Sequence, residues 1–534
     1  MKWIYSGMAL LVGASVAVTG CSSSSDSEDT SSAKSQLIMT YPGKFSFNFH
    51  PVADSDSGQQ IFYNLFYSNL VRRGSSAGTI VADLASTWEN VAATTYTFRL
   101  NDKAKWSDGQ PVTADDVVFT ATAAAQNADK FTGYTPTAWL AIDGAAAIAG
   151  TTKPLTGIKA VDPHTVQITL AAPDSQYLTT LANAVHVILP QHALAAVAPA
   201  TWAKSAFATQ TPIGSGPYKL AKVVPDQYLE FAANMDYYQG APKIKKIFVK
   251  TGMTEAGIVN QLKTGELDVA LGMDPTNQSL LASTSRLKTS VDVGVGTMYI
   301  QFRVDNPQVA DERVRQAFYY GVDRASMLKS LFGNAGKVLW APAGFDQTGA
   351  DLNHYDYDPA KAKQLLDAAN FDYAKPLTLP YASTESGWDK IAATIKDDMG
   401  KIGVNITLAP MDETAWSSKL SDPNPNAFSV TLNCCGTEGR SPDASSVYYN
   451  KTFVGTKYYN DQLIGLFAAG RAESDPAKQA TIYAQAAKIL NTAVPYNWLW
   501  ARSGLNVLPT ALQGASIYQS VIDTTGNAWQ WSLR

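Results

Sequence analysis

The spacing of apolar side chains changes repeatedly along this chain, between the two-residue period of strands and the three-to-four-residue period of helices. Residues 95–100 (TYTFRL) and 165–170 (TVQITL) alternate as half-buried strands do. Residues 58–74 carry Ile, Leu and Phe at helical spacing, and residues 311–332 have the pattern of one long amphipathic helix. Helices and strands that alternate in this way predict a mixed α/β fold.

One segment, residues 104–125, combines a turn with a helix start. Asp108 begins a turn, and Thr113 is placed to cap a helix that Asp116 would support from three residues further on. The same reasoning predicts a first strand at 36–41 and a buried strand over 186–194, stopped by Pro190. It predicts a Gly-rich turn that enters a strand at 211–220 and a helix at 358–371. Two further segments, 259–272 and 388–410, are each predicted to form a helix, a glycine turn and a strand.

Length and charge narrow the classes of protein. The 534 residues exceed what one hydrophobic core usually supports, so two or three domains are expected. The net charge is -4, and the chain has no stripe of Lys and Arg to neutralise phosphates, which argues against nucleic acid as the partner. The five His are scattered, so we expect neither a metal site nor a cofactor.

Two pairs of adjacent acids raise the remote alternative of a secreted hydrolase, because a glycosidase needs two carboxylates. The pairs are Asp115–Asp116 and Asp397–Asp398. Both fall on predicted helices, where neighbouring side chains diverge and do not face one substrate. We therefore predict that the chain is not an enzyme.

The N-terminus has the layout of a secretion signal: Lys2, an apolar stretch, and then the sequence VTGC ending at Cys21. It resembles a bacterial lipobox, which implies a lipoprotein signal peptide at 1–20 and a lipid on Cys21. An ordinary signal peptide and a signal anchor are the alternatives. The Ser-rich residues 21–36 would form a flexible tether. We expect an extracytoplasmic body anchored to the cell membrane.

The order of several blocks along the chain resembles one known family. The blocks are VADLASTWE, YTFRL, KWSDGQPVTADDVVF, PIGSGPYKL, NMDYYQGAPKIKKIFVK, LKTGELDVAL, VRQAFYYGVDRASML and YDYDPAKAKQLL. Together they resemble the extracytoplasmic solute-binding proteins of ABC importers, in the oligopeptide- and dipeptide-binding family (family 5). The resemblance covers about residues 37–534. It implies an α/β, two-lobed periplasmic-binding-protein fold of type II, with a hinge and a ligand buried between the lobes.

The resemblance also implies how the chain is divided. Lobe I would comprise residues 37–79, 207–295 and 505–534, with an extra subdomain at residues 80–206. Lobe II would comprise residues 296–504. The protein would be a monomer that closes on a short peptide and then docks on the permease subunits of an ABC importer.

A ligand site is implied near the sequence VTLNCCGTEGRSPDASS. In relatives that bind peptides, an aspartate lying 22 residues after a Trp clamps the free α-amino group of the ligand. Counting from Trp416, Glu438 takes that position, and Trp416 would line the cleft. Arg440 would lie in the same site or pair with Glu438 and neutralise it.

Further candidates flank this site. Cys435 stands where the family often has an aromatic residue, and with Cys434 it is interpreted as a small apolar residue of the cleft floor. A vicinal disulfide is the strained alternative. Arg303 would bind a ligand carboxylate or form a salt bridge. Tyr41, at the end of the first strand, is a weaker candidate.

A second ligand class stays open at this point. Some members of the family bind oligosaccharides by stacking tryptophan faces on sugar rings, and this chain has 12 Trp. Trp498 and Trp500 alternate on a predicted strand, so both should face the same side. An aromatic wall is equally expected in a peptide pocket or in a core.

Overall fold

The computed structural model describes residues 35–43, 45–51, 57–74, 79–128, 137–333, 335–385, 387–434, 441–451, 453, 455–515 and 521–534. The predicted signal peptide, Cys21 and nearly all of the tether lie outside these residues. None of the helices within the described ranges is long and apolar enough to cross a bilayer.

The strands are distributed along the whole described chain. They are β1 Gln36–Thr40, β2 Val71–Arg73, β3 Ile80–Ala82, β4 Ala85–Val91, β5 Thr95–Leu100, β6 Ile158–Asp162, β7 Thr165–Thr169, β8 Tyr218–Val224, β9 Tyr228–Ala233, β10 Lys246–Lys250, β11 Val269–Met273, β12 Leu287–Phe302, β13 Lys337–Val338, β14 Leu377–Ala382, β15 Ile406–Met411, β16 Val430–Cys434, β17 Tyr496–Pro509, β18 Leu512–Gln513 and β19 Ser532–Leu533.

The helices alternate with the strands, as the periodicity predicts. They are α1 Ser57–Phe66, α2 Ala114–Gln126, α3 Thr137–Leu140, α4 Ala145–Ile148, α5 Tyr177–Leu181, α6 Gln191–Leu194, α7 Ala206–Thr209, α8 Glu255–Thr264, α9 Gln278–Leu281, α10 Glu312–Gly321, α11 Arg324–Phe332, α12 Pro359–Ala368, α13 Trp388–Gly400, α14 Glu413–Ser421, α15 Asp461–Ala472 and α16 Pro476–Ala493. Short 3-10 helices cover Pro199–Lys204, Pro275–Asn277, Ala343–Thr348, Pro442–Tyr449 and Val521–Gln530.

The largest sheet has the strand order β16-β12-β17-β11-β1-β10-β9-β8, with β13 added to β17. In this sheet β1 runs parallel to β10 and β11, whereas the other pairs are antiparallel. A separate antiparallel sheet has the order β4-β5-β7-β6. The chain is thus mixed α/β, which confirms the predicted fold class.

Buried apolar side chains form separate clusters. One is built from residues between 70 and 188, and another from residues between 298 and 501. A third joins the two ends of the described chain, since Leu37 and Trp531 are both fully buried in it. A smaller fourth cluster packs α8 against β11 and β17.

The long antiparallel pair β12–β17 passes from one core to another. Val291 and Leu505 pack at its first end, in the fourth cluster, while Met298 and Trp500 pack in the cluster of residues 298–501. The pairing register shifts after Val293, between these two ends. A shift of this kind increases the local bend and twist of a strand pair.

The start of α2 confirms the prediction made for residues 104–125. The Thr113 backbone N–H donates to Asp116 Oδ2 at 2.9 Å, which completes the capping box. The buried Asp116 also accepts from Trp106 Nε1 at 3.3 Å and from the Gln191 backbone N–H at 2.9 Å. This carboxylate therefore holds three segments together.

The sequence GSGPY allows two backbones to approach closely. The Gly216 N–H donates to the Phe66 carbonyl oxygen at 3.0 Å. A Cβ atom at Gly216 would lie 2.6 Å from the Phe66 carbonyl carbon, which is closer than real Cβ atoms come to backbone. Only glycine therefore lets this turn lie against the end of α1.

Two predicted helices have different bounds from those expected. Residues 58–74 were expected to be helical throughout, but α1 ends at Phe66 and the chain continues into β2. Residues 311–332 form two helices, α10 and α11, because Asp323 interrupts the pattern. The Asp323 side chain accepts from the Ser326 N–H at 3.0 Å and caps the second helix.

The strand predicted over residues 186–194 is wrong. The chain is buried at Val187–Leu189, but its hydrogen bonds go to loops and side chains: the Ile188 N–H donates to the Ser68 carbonyl oxygen at 3.0 Å, and the Leu189 N–H to Thr120 Oγ1 at 2.9 Å. Pro190 precedes α6 instead of ending a strand.

Candidate functional site

Trp416 fixes α14 to the end of the large sheet. Its indole is 8% exposed, and Nε1 donates to Thr431 Oγ1 at 3.1 Å. The Thr431 hydroxyl in turn donates to the Pro380 carbonyl oxygen at 2.8 Å. The ring of Trp388 lies edge-on to Trp416, with the centroids 5.7 Å apart. The indole predicted to line the cleft is thus held by polar and aromatic contacts with Thr431 and Trp388.

The edge strand β16 leads directly towards the predicted clamp. It pairs with β12 from Val430 to Cys434, and Asn433 Nδ2 donates to the buried Gln301 Oε1 at 2.9 Å. Asn433 Oδ1 also accepts from the Cys434 N–H at 2.7 Å. These contacts fix the last described residues before the loop that carries the predicted clamp.

The clamp loop itself, residues 435–440, lies outside the described residues. Cys435, Glu438 and Arg440 therefore stay predictions. Cys434 is half-buried against the core, and it is disulfide-bonded. This differs from its interpretation as a small apolar residue of the cleft floor, and it agrees with the alternative in which Cys434 is disulfide-bonded.

An ion pair follows immediately after this loop. Arg471 Nη1, at the end of α15, donates to Asp443 Oδ1 at 2.6 Å. Burial raises the pKa of Asp443 to about 6, while Arg471 acts in the opposite direction. Sequence reasoning missed this carboxylate, although the Pro-Asp pair one residue beyond Ser441 was a signal that could have found it.

The polar atoms of the Arg303 side chain are hydrogen-bonded to nearby residues. Its side chain is fully buried, and Nε donates to Asp305 Oδ1 at 2.6 Å. Nη1 and Nη2 donate to the carbonyl oxygens of Asp422 and Pro423 at 2.8 and 2.7 Å. The guanidinium also lies 5.8 Å from the ring centre of Phe428. These contacts favour the salt-bridge alternative over a ligand carboxylate.

Tyr41 is half-buried just after β1 and packs against the core that contains Leu37 and Trp531. In the order of the large sheet, β1 is separated from β16 by β12, β17 and β11. Arg303, by contrast, lies beside the start of β16, since its N–H donates to the Ser429 carbonyl oxygen at 3.0 Å. Trp416 and Arg303 therefore share one region, and Tyr41 belongs to another.

Asn497 is a candidate that the sequence did not suggest. It is fully buried on β17, opposite Ile300, and both polar atoms of its amide have no hydrogen-bond partner among the described residues. An unpaired buried amide is destabilising. No periodicity marks such a residue, because its environment depends on strands that are distant in sequence.

No group of three or more His, Cys, Asp or Glu side chains suited to a metal ion occurs in the described part of the chain. One carboxylate of each pair considered for a hydrolase is engaged elsewhere. Asp116 has the contacts given above, and Asp398 Oδ2 accepts from the Asp323 N–H at 3.0 Å while Oδ1 pairs with Lys401 at 2.7 Å. These contacts do not form a pair of carboxylates facing a shared substrate.

Residues 79–458 match the family described as bacterial extracellular solute-binding proteins, family 5, in its middle region. The match spans well over half of the chain. The chain belongs to this family. A Brucella ovis protein, provisionally named an ABC transporter peptide-binding protein, is 30% identical to this solute-binding protein over 484 residues, which are 88% of each chain.

Two solved structures share the fold of this solute-binding protein. The oligopeptide-binding protein AppA of Bacillus subtilis, in complex with a nonapeptide, has a TM-score of 0.79 and 22% identity, over 93% of this chain and 99% of AppA. NikZ of Campylobacter jejuni, in complex with Ni(L-His), has a TM-score of 0.77 and 23% identity, over 93% and 99% of the two chains.

These comparisons confirm the family and the periplasmic-binding-protein fold that the sequence blocks indicated. They also confirm that the chain is not an enzyme, because its relatives are solute-binding proteins. The family is extracellular, in agreement with the predicted extracytoplasmic location. The two solved complexes hold chemically different ligands, so the fold alone does not specify the solute.

Proposed function

We propose that this solute-binding protein captures short peptides between two closing lobes and delivers them to the permease of an ABC importer. The observation that carries the proposal is the near full-length similarity to the Brucella ovis protein, whose name gives peptide binding. The nonapeptide in AppA supports the same ligand class on the same fold. Binding between lobes works when the ligand favours the closed state over the open one.

The division into lobes belongs to this proposal. Lobe I comprises residues 37–79, 207–295 and 505–534, the extra subdomain residues 80–206, and lobe II residues 296–504. The separate hydrophobic clusters support it, because the cluster of residues 70–188 and that of residues 298–501 fall almost entirely in the extra subdomain and lobe II.

Within the cleft, Glu438 is proposed to bind the α-amino group of the peptide. What supports this assignment is the position of Glu438, 22 residues after Trp416, where the resemblance to peptide-binding relatives implies the clamp. A charge-assisted hydrogen bond to an ammonium group would offset the desolvation of Glu438. Arg440, Cys435 and Trp416 complete the proposed site.

The ligand class is tested by native mass spectrometry of the full chain purified from cells, followed by titration calorimetry. We expect released peptides, and binding that is lost when the peptides are N-acetylated. Glu438→Gln should weaken binding of peptides with a free amine by about tenfold or more, the loss of one charged hydrogen bond. The matched control is Glu266→Gln, at an exposed position of lobe I.

A different result would change the assignment. If acetylated and free peptides bind equally, Glu438 does not clamp the amine. A released ladder of glycans would establish the oligosaccharide alternative. That alternative needs exposed tryptophan faces, yet Trp416, Trp498 and Trp500 are all buried, with Trp498 against Tyr319 and Trp500 against Phe332.

The anchor is proposed separately. Lipid on Cys21, with the Ser-rich residues up to 36 as a tether, would hold the monomeric body at the membrane within reach of the permease. Intact mass and membrane fractionation test it: Cys21→Ser should lose the acyl mass and leave the membrane fraction. Retention of Cys21→Ser in that fraction, at the same mass apart from the substitution, would exclude the lipid.

A further inference from the structure

A contact joins two regions that are about 300 residues apart in the chain. The Ser175 N–H donates to the Arg471 carbonyl oxygen at 2.8 Å. Gln479 Nε2 donates to Ser175 Oγ at 3.0 Å, and Gln176 Nε2 donates to Gln479 Oε1 at 3.4 Å. The loop Asp174–Gln176 precedes α5, in the proposed extra subdomain. Arg471 and Gln479 lie on α15 and α16 of proposed lobe II, so the hydrogen bonds cross between lobes.

The loop on the first side is held in shape by its own domain. The Asp174 N–H donates to the Ala93 carbonyl oxygen, and Tyr96 Oη donates to the Asp174 carbonyl oxygen, both at 2.8 Å. Asp174 Oδ1 accepts from the Gln176 N–H at 2.8 Å. The backbone donor of Ser175 is therefore already oriented before the lobes meet, which lowers the entropic cost of the contact.

The second side is equally ordered. Gln479 Nε2 also lies within hydrogen-bond distance of the carbonyl oxygens of Gly470 and Glu473, at 2.8 and 3.1 Å, so its two N–H groups are shared among three acceptors and tie α16 to the end of α15. Tyr483 packs directly on Gly470, where a Cβ atom would overlap its ring. The Gln479 side chain is thus positioned by lobe II and presents its amide to Ser175.

Charged groups surround the contact. The Asp443–Arg471 ion pair lies on the lobe II side, and Asp174 interacts electrostatically with Arg471 from the other side. Burial raises the pKa of both Asp174 and Asp443, with Arg471 acting against the rise. Arg471 thus forms an ion pair with Asp443, and its positive charge also acts on the carboxylate of Asp174.

We propose that the Asp174–Gln176 loop and the α15–α16 turn form a latch that holds the lobes closed over the ligand. This inference rests on the proposed function, in which the lobes open and close. The latch lies on segments distinct from the predicted clamp loop and from the β12–β17 connection. It therefore stabilises the closed state for any solute, and it sets how long the solute stays bound.

The test uses the full chain with Gln479→Ala and Ser175→Ala, and with Lys478→Ala as the matched control. Lys478 is the exposed neighbour of Gln479, and no side-chain hydrogen bond of Lys478 is seen among the described contacts. We expect Gln479→Ala to speed peptide dissociation about tenfold, the value of one to two net hydrogen bonds, at an unchanged association rate. Ser175→Ala should act in the same direction.

A double-mutant cycle guards against a local defect in α16. If the Gln479 and Ser175 side chains act through each other, the effect of the double variant on dissociation is smaller than the product of the single effects. Purely multiplicative effects, or dissociation rates equal to that of Lys478→Ala, would overturn the latch.

Hydrogen exchange of the Ser175 amide separates this proposal from the peptide assignment. The amide should exchange faster in Gln479→Ala than in the control, even without ligand, because the latch opens more often. Equal exchange in the two variants refutes the latch. If the wild-type chain binds no peptide but the exchange difference is present, the peptide assignment fails and the latch stands.

Discussion

The role of Arg303 can be decided by replacing it with methionine, which keeps much of the apolar stem and removes the guanidinium. The substitution leaves three acceptors without their donor: one carboxylate oxygen of Asp305 and the carbonyl oxygens of Asp422 and Pro423. Asp305 is 39% exposed, so water can replace its lost partner. The two backbone carbonyls are next to a fully buried side chain, and they carry most of the penalty.

The magnitude follows from these contacts. Each hydrogen bond to a charged donor contributes roughly 1.5–3 kcal/mol, and removing one partner of a buried ion pair costs roughly 3–5 kcal/mol. With Asp305 partly solvated, we expect Arg303→Met to lower the free energy of unfolding by about 3 kcal/mol. The matched control is Arg313→Met. Arg313 also pairs with an Asp two residues away, at 2.6 Å, and donates to a backbone carbonyl, but its side chain is 44% exposed.

The assay is guanidinium unfolding followed by tryptophan fluorescence, without ligand, at one buffer and temperature. Arg313→Met should change stability only slightly, because solvent screens an exposed ion pair. The midpoint for Arg303→Met should therefore fall well below both the wild type and the control. Peptide affinity should be measured under conditions in which each variant is fully folded. It should then differ little among the wild type, Arg303→Met and Arg313→Met.

The reasoning fails if Arg303→Met is as stable as Arg313→Met. It fails more specifically if Arg303→Met keeps its stability but loses affinity for peptides with a free carboxylate, and not for their amides. That pattern would assign the guanidinium to the ligand.

Three more outcomes are expected from single substitutions. Gly216→Ala should cost about 3 kcal/mol or more, because its Cβ would overlap the Phe66 backbone; a thermal midpoint near that of the wild type would contradict this. Burial raises the pKa of Asp292 from 3.8 to about 6, so the folded state favours the protonated carboxyl. The stability that this group contributes is therefore complete below its ordinary pKa. It is lost as the pH rises to about 6. Asp292→Asn should therefore reduce the fall in melting temperature between about pH 4 and pH 6. If the melting temperature of the variant falls as steeply as that of the wild type, the carboxyl of Asp292 does not cause the fall. Trp416→Phe should lower the free energy of unfolding by about 1 kcal/mol in urea titrations, through loss of the hydrogen bond to Thr431, and no change would show that this bond contributes nothing.

The sequence predicted those features that depend on a few adjacent residues. The cap of α2 needs only Thr113 and Asp116, which are three residues apart, and it forms as expected. Prediction failed over residues 186–194, where an apolar run indicated burial correctly but did not show whether a partner strand was available. It also failed at Asp323, where one capping residue divides an otherwise continuous amphipathic pattern.

The candidate site was harder to predict because its contacts are long-range. Trp416 was singled out through the family resemblance, but its bond to Thr431 depends on how α14 lies against β16. The ion pair of Asp443 with Arg471 and the bonds between Ser175 and Gln479 join segments whose separation hides them from any local pattern. Arg303 is the opposite case. Its position suggested a ligand contact, whereas neighbouring groups, Asp305 among them, occupy its guanidinium.

The core that contains Leu37 and Trp531 has a consequence for the order of folding. Leu37 and Trp531 are buried in one cluster, and β1 lies in the same sheet as β17. Contacts between such distant residues form late, because a long loop must close before they contribute. For an extracellular protein, this means that the cluster of residues 298–501 can assemble while the last strands are still being delivered, but the core around Leu37 cannot. That core is complete only when Trp531 is present, and a chain truncated before Trp531 lacks the side chain that fills it.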